Sequence, residues 1–324
     1  VHSLFSFPKI ILTSLCLLFI LQVRPCVNEY FIHLDGKMEF GDSPHFIPYG
    51  RFNSNNKPYL FHKLRTADSL YKLYGQIEHY SDLGAMLIYN GEFLKAKKIF
   101  IEIENKSPGR YMTASNLGTA YELLGQNDSA YYWIDKAIKM NPGSHEGSEW
   151  IHLKLLEEKI RSKGIVKDLK PKNILGLDFG NEKIPLAPKK ANLDQLRNHL
   201  YHQLNERISF VKPKESIVAQ LLFDLGNLNA LTVDIRNGLK TLELAKEYGY
   251  SSPVLDQRID YFSKLQKTAD KENEREKWEN ENPRLRIILF GLQCLTALLG
   301  FIVLVWIIVK AIKRSTKRKS EKHS

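Results

Sequence analysis

Three cysteines in 324 residues are too few for a disulfide framework. Cys16 and Cys294 lie inside apolar runs, which leaves Cys26 without an evident partner. The chain has no glycine-rich phosphate loop, no nucleophile elbow and no HExxH helix. Their absence removes the usual marks of nucleotide hydrolysis, acyl transfer and zinc proteolysis. His199 and His202, with Glu206 four further on, have a spacing that can bind zinc on a helix. A third firm ligand is missing, so a packing or surface role is expected for them. No catalytic, metal or cofactor residue is therefore assigned. The chain also has little excess charge in its body. Its net charge is +11, but the last fifteen residues carry seven Lys or Arg against one Glu, and Lys9 and Arg24 add two more. Residues 27–309 are left nearly neutral at +3. The high pI is thus no argument for binding nucleic acid.

What the sequence does have begins with two apolar runs. Ile10 to Val23, with Lys9 before it, has the length of a secretory signal core rather than a membrane span. Arg24-Pro25 suits neither a signal-peptidase cut nor a lipoprotein cysteine. A cleaved signal, an uncleaved anchor and a lipidated Cys26 remain three readings of residues 1–26. The second run, Ile287 to Val309, has no charge across 23 residues. At ~1.5 Å per residue it reaches about 35 Å, enough for a hydrocarbon core of ~30 Å. Basic residues crowd after it in the tail, 310–324, and only Arg284 and Arg286 stand just before it. The positive-inside rule places that tail in the cytoplasm and the body outside it. The expected topology is a single-pass membrane protein with one C-terminal transmembrane anchor.

Between these runs lies a tandem pattern. Asp82–Pro108 and Asn116–Pro142 align after a shift of 34 residues. Leu83-Gly84 matches Leu117-Gly118, Gly91 matches Gly125, Ala96 matches Ala130, Phe100 matches Ile134 and Pro108 matches Pro142. The pattern resembles the tetratricopeptide repeat (TPR) family, with units at 77–110 and 111–144, and among its members a bacterial envelope protein with a signal and a C-terminal anchor. That resemblance implies an all-α fold, a right-handed superhelix of antiparallel helix pairs. Small residues at Gly118 and Ala130 are expected to face each other where two helices cross. Large ones, Tyr121 and Ile134, should fill the space beside them. One hairpin cannot bury its apolar face alone, whereas a stack can.

The stack continues in weaker form. Leu60, Leu64, Leu70 and Leu73 fall at helical spacing ahead of the first unit, and Trp150, Ile151, Leu153 and Leu156 after the second. A TPR domain is therefore expected over 57–165. Residues 166–190 are rich in proline and lysine and read as a connection at a domain boundary, with "NILGLDF" a candidate short strand. A second helical region, 191–270, carries a degenerate repeat at 219–252: Leu225, Gly226, Gly238, Leu242 and Ala245 fit, whereas Asn229 replaces a large residue. Residues 271–286 read as a charged, solvated stalk. At the other end, 27–56 reads as an extended or hairpin arm, with "LDGK" as its turn signal.

The resemblance also implies a partner groove on the first helix of each unit. Its positions are Glu78, Ser81, Ala85, Ile88 and Tyr89, then Met112, Ser115, Thr119, Glu122 and Leu123. Asn116 fits one position of the family's clamp for a terminal carboxylate. Ser81 and Ala85 stand where a lysine and an asparagine are needed, so a chaperone tail is not the expected ligand. The expected function is a membrane-anchored protein–protein interaction scaffold with its repeats outside the cytoplasm. Its partner is an unidentified protein or peptide, not nucleic acid. The alternative is an envelope hydrolase or metal-dependent enzyme that uses the repeats as a binding arm.

Overall fold

The computed structural model describes residues 29–41, 44–50, 57–162, 173–189 and 191–320. The signal or anchor expected over 1–26, residues 166–172 and 190 of the 166–190 connection and the last four residues of the tail lie outside them. The described chain is mostly helical, and it divides into two compact units, one ending at Lys267 and one starting at Thr268.

The first unit opens with a β-hairpin, β1 (Glu29–Ile32) and β2 (Met38–Gly41), antiparallel in the register Glu29↔Gly41 to Ile32↔Met38. Asp35 shapes its turn by accepting from the Lys37 N–H at 2.9 Å. Gly36 supplies the positive φ (+87°) that such a turn requires. Tyr30 and Phe40 pair across the strands at 4.9 Å.

Helices follow in close succession: α1 (Lys57–Tyr74), α2 (Ile77–Tyr89), α3 (Phe93–Lys106), α4 (Tyr111–Leu123), α5 (Asn127–Met140) and α6 (Glu149–Arg161). Each packs on the next. The connections are short because glycine ends the helices: Gly91 and Gly125, at equivalent places in the two units, turn with φ of +82° and +73°. Leu87, Ile88, Ala96, Ile99, Phe100, Ile103, Leu117 and Ala120 make one apolar core between these helices. A short 3-10 turn, Ser144–Gly147, leads into α6.

After the connection come α7 (Leu193–Arg207), α8 (Ser216–Thr232), α9 (Ile235–Glu247) and α10 (Pro253–Glu281). The helix α8 is buried from Ile217 to Ala230 without a break, and α9 is its main neighbour. Asp234 caps α9, its carboxylate accepting from the Asn237 N–H at 2.7 Å.

One packing rule recurs in three helix pairs. A Cβ on Gly84 would lie 2.7 Å from the Phe100 ring, one on Gly118 2.6 Å from Ile134 Cδ1, and one on Gly226 2.7 Å from Leu242. Each glycine makes room for a large residue sixteen positions later. This corrects the expected pairing of Gly118 with Ala130, since all three atoms nearest to Gly118 belong to Ile134. In the pair α8 and α9 the second small position meets the end of the preceding helix. Gly238 would press on Ala230, eight residues earlier, at 2.7 Å. The crossing is staggered, so small packs against large at one point and small against small at another.

The segment Asn173–Phe179 contains a turn and no strand, against expectation. Its main chain is tied down by a side chain instead. Arg258 on α10, fully buried, donates to the carbonyls of Phe179 (2.7 Å), Gly180 (2.8 Å) and Glu182 (3.0 Å), and to Asn227 Oδ1 (2.8 Å). Burial lowers its pKa to about 10, which leaves it charged at neutral pH. Both helical regions belong to one compact unit, so the connection does not divide two bodies.

The second unit holds the end of α10 and α11 (Pro283–Ser320). Arg275 pairs with Glu272 and Glu279 along the exposed end of α10. Between Pro283 and Ile308, the most apolar stretch of α11 has a mean hydropathy of 2.5, and none of it is buried. It is long and apolar enough to cross a membrane.

Candidate functional site

The helix α7 is the wall on which the site is built. Residues four apart share a helix face, and α7 presents two such faces to different parts of the first unit. His199, Gln203, Glu206 and Arg207 reach toward the first helical region. Arg197, Tyr201 and Asn205, continued by Ser209 just past the helix, lie along the arm.

On the first face the expected partner groove meets α7. The carboxylate of Glu122 on α4 is buried (4% exposed) and accepts from four donors. Arg207 forks onto both oxygens at 2.6 and 3.2 Å, Lys159 lies at 2.7 Å and His152 at 2.7 Å. Burial by itself would raise its pKa, but Arg207, Lys159 and His152 outweigh burial and hold it well below the usual carboxylate range. His152 also faces Glu149 at 3.5 Å, and Glu149 pairs with His145 at 2.6 Å. Burial opposes the charge on Glu149 too, yet the bonds from His145 and His152 bring its pKa down to about 2. The same carboxylates raise His152 against its own burial. His145 and Glu146 take left-handed φ values of 48° and 57°, unusual for non-glycine residues, in the turn that brings His145 to Glu149 and Glu146 to His202 (3.1 Å).

The other expected groove positions divide. Tyr89 donates its hydroxyl to Glu206 at 2.7 Å, and its ring lies 6.3 Å from Phe210. Ser81 and Ile88 are buried. Ala85, Ser115, Asn116, Thr119 and Leu123 are half-buried, the Thr119 hydroxyl donating to the Ser115 carbonyl. Glu78 is exposed and paired with Arg110 at 2.6 Å. Met112 is 58% exposed. Reading Ser81, Ile88, Tyr89 and Glu122 as an open lining is therefore corrected. The first two are packed into the protein, and α7 holds the last two. Met112 and Glu78 remain on the surface.

On the second face lies a segment that sequence reading left without a role. Pro44–Gly50, which has neither helix nor strand, sits against α7, α8 and α9. Asn237 spans it with one carboxamide: Nδ2 donates to the Pro44 carbonyl at 3.0 Å and Oδ1 accepts from the Phe46 N–H at 2.9 Å. Asn229 Nδ2 donates to the Phe46 carbonyl at 3.1 Å. Asn205 Oδ1 accepts from both the Tyr49 and Gly50 N–H groups at 3.0 and 3.1 Å. A carboxamide carries a peptide's own donor and acceptor, so the asparagines bond the segment's main chain as a neighbouring strand would. The Phe46 ring rests 4.2 Å beneath the Arg197 guanidinium and edge-on to Tyr201 at 5.5 Å. Arg197 is itself fixed by Asp194 (2.7 Å) and Thr232 (2.8 Å). Pro48 and Gly50 are buried, whereas Tyr49 is 59% exposed.

His199, His202 and Glu206 do not converge. His199 accepts from the Trp150 indole at 3.0 Å, His202 pairs with Glu146 and Glu206 binds Tyr89. Among the described residues no group of three such side chains is placed to hold a metal ion. One signal of the arm site was visible in the sequence, the asparagine at 229 where the repeat has a large residue. It is a departure from the pattern because it binds main chain instead of filling a core. The chain matches no family model and no curated protein.

Proposed function

We propose that the protein is a membrane-anchored interaction scaffold of the TPR kind, its helical body outside the cytoplasm and its basic tail inside. The observation that carries this reading is the cradle on α7, α8 and α9, where a non-helical segment is held by its main chain, as a peptide-binding surface holds a ligand. Three features support it further. Helix pairs recur at a spacing of 34 residues with equivalent glycine-to-large contacts at Gly84 and Gly118. Around Glu122, the charged side chains with shifted pKa values, Glu122, His152 and Glu149, are engaged with one another. The apolar stretch of α11 is followed, within the same helix, by a run of lysines and arginines.

The test has two parts. A fluorescent reporter that folds only in the cytoplasm should be active after Ser324 and inactive when placed before Lys57. The reverse pattern would invert the topology. A photoreactive residue at Met112 should then yield a discrete protein adduct in intact membranes. One at Tyr132, exposed on α5, should not. Equal adducts from both positions would remove the case for a defined partner surface.

A further inference from the structure

We propose that the cradle of Asn205, Asn229 and Asn237 is a site for a linear peptide, and that Pro44–Gly50 is its internal occupant, displaced when a partner presents a segment of the form aromatic–X–proline. The inference rests on the scaffold reading and names the chemistry of the ligand.

Four observations carry it. The five hydrogen bonds from the three asparagines all reach main-chain atoms of the segment. Such bonds do not depend on the segment's own side chains, so another chain can make them. Second, the cradle is set by partners other than its occupant. The Asn237 amide is also bonded to the Asp234 carboxylate at 3.0 and 3.1 Å. Asn229 bonds the Thr241 hydroxyl at 3.0 Å, and that hydroxyl donates to the Asn237 carbonyl at 2.7 Å. The amides thus keep their aim when the segment leaves, which is the preorganisation that a ligand site needs.

Third, side-chain selection is confined to two places. Phe46 lies on Arg197 and Tyr201, and Pro48 is buried two residues on. These define the aromatic–X–proline requirement. Fourth, the occupant fits imperfectly. The side-chain Oδ1 of Asn229 is fully buried and accepts no hydrogen bond among the described residues. A ligand with an N–H in reach of that oxygen would gain a bond that the arm does not make. Being tethered, the arm occupies the site at a high effective concentration and keeps it closed until a better-fitting segment arrives.

The test weakens the arm without touching the cradle. Phe46→Ala removes the ring from Arg197. Gly50→Ala adds a Cβ about 3.3 Å from the Ser209 backbone, at a φ of +73° that favours glycine. The probe is a fluorescein-labelled heptapeptide with the sequence of residues 44–50, PHFIPYG, added to the full chain in detergent. Fluorescence polarisation should show the double variant binding the probe at least tenfold more tightly than wild type. Adding Asn229→Ala and Asn237→Ala should abolish binding, as should replacing the probe's phenylalanine by alanine. No binding to the double variant would overturn the proposal, and so would equal binding of the alanine probe. Loss of helicity in the double variant would overturn it as well, since the segment would then be a fixed part of the core. None of these outcomes depends on the Met112 adduct, so failure here and failure of the scaffold reading are separate results.

Discussion

The two faces of α7 solve one problem, the burial of polar groups, in opposite ways. Toward the first helical region the polar groups are ions. Glu122 is surrounded by Arg207, Lys159 and His152, each within hydrogen-bond reach of its buried carboxylate. Toward the arm the direct contacts to main chain are neutral amides. Ions buried in this way are strongly coupled, because removal of one leaves the others uncompensated. Amides bonded to a main chain are each worth little and can be exchanged for similar bonds to another chain. The ionic face therefore has the properties of a permanent joint, and the amide face those of an exchangeable one.

The sharpest way to break that comparison is at Glu122. Glu122→Gln should destabilise the full chain by about 3–5 kcal/mol, the usual cost of leaving buried charge unpaired. The check is chemical denaturation in detergent. A loss no larger than that of a surface substitution would mean that the joint is not ionic in the sense described.

Next in size is the packing rule common to both regions. Gly118→Ala and Gly226→Ala should each cost ~1–3 kcal/mol, since the added methyl meets Ile134 or Leu242 well inside contact distance. Similar losses at both sites, read by thermal melts, would place the difference between the regions in their polar groups rather than in their helix packing.

The regions should also respond oppositely to pH. Glu122 and Glu149 have depressed pKa values in the folded chain. Their contribution is present above the ordinary carboxylate range and is lost as pH falls, for Glu149 through about 2. His152, raised, adds stability that is complete below its ordinary value and disappears as pH climbs through the folded one. Asp224 on α8 behaves in the contrary sense. It is 1% exposed, burial raises its pKa to about 8 against the single opposing bond from Gln220, and its Oδ2 has no partner among the described residues. The folded state prefers it protonated, so its effect on stability worsens as pH rises from about 4 to about 8. Asp224→Asn should gain at least ~1.4 kcal/mol over wild type at pH 8, the equivalent of one pKa unit, and nothing at pH 3. Equal pH profiles for the two chains would exclude a protonated Asp224.

The smallest effect tests the edge of the ionic face. Tyr89→Phe removes the hydroxyl that binds Glu206, a half-buried contact worth ~1 kcal/mol. Met112→Ala, on the exposed side of α4, should leave the melt unchanged. Equal shifts would place both residues in the same environment, contrary to their burial.

Helix positions were legible from the spacing of small and large residues, because that spacing is a local property, whereas the partner of Gly118 was not: it is Ile134 rather than Ala130. The ionic joint was not legible either. Glu122 and Arg207 lie 85 positions apart in the chain, and a glutamate on a helix reads as a solvent-facing residue when nothing nearby pairs with it. The arm site was half visible. Asn229 stood out as a departure from the repeat, but its ligand lies 183 residues away in a segment whose sequence has no periodicity. What the pattern could not carry was the role of α7, since a helix with two polar rows looks solvated from its sequence and is here covered on both.

The Arg258 guanidinium bears on how the chain withstands digestion. A protease takes its substrate as an exposed strand and needs the main-chain carbonyls around the cleaved bond. Between Phe179 and Glu182 three of those carbonyls are already held by one buried side chain. Lys183, the nearest tryptic residue, lies with its ammonium 4.7 Å above the Tyr261 ring. The stretch of the link from Phe179 to Lys183, although it has neither helix nor strand, is thus withheld from cleavage.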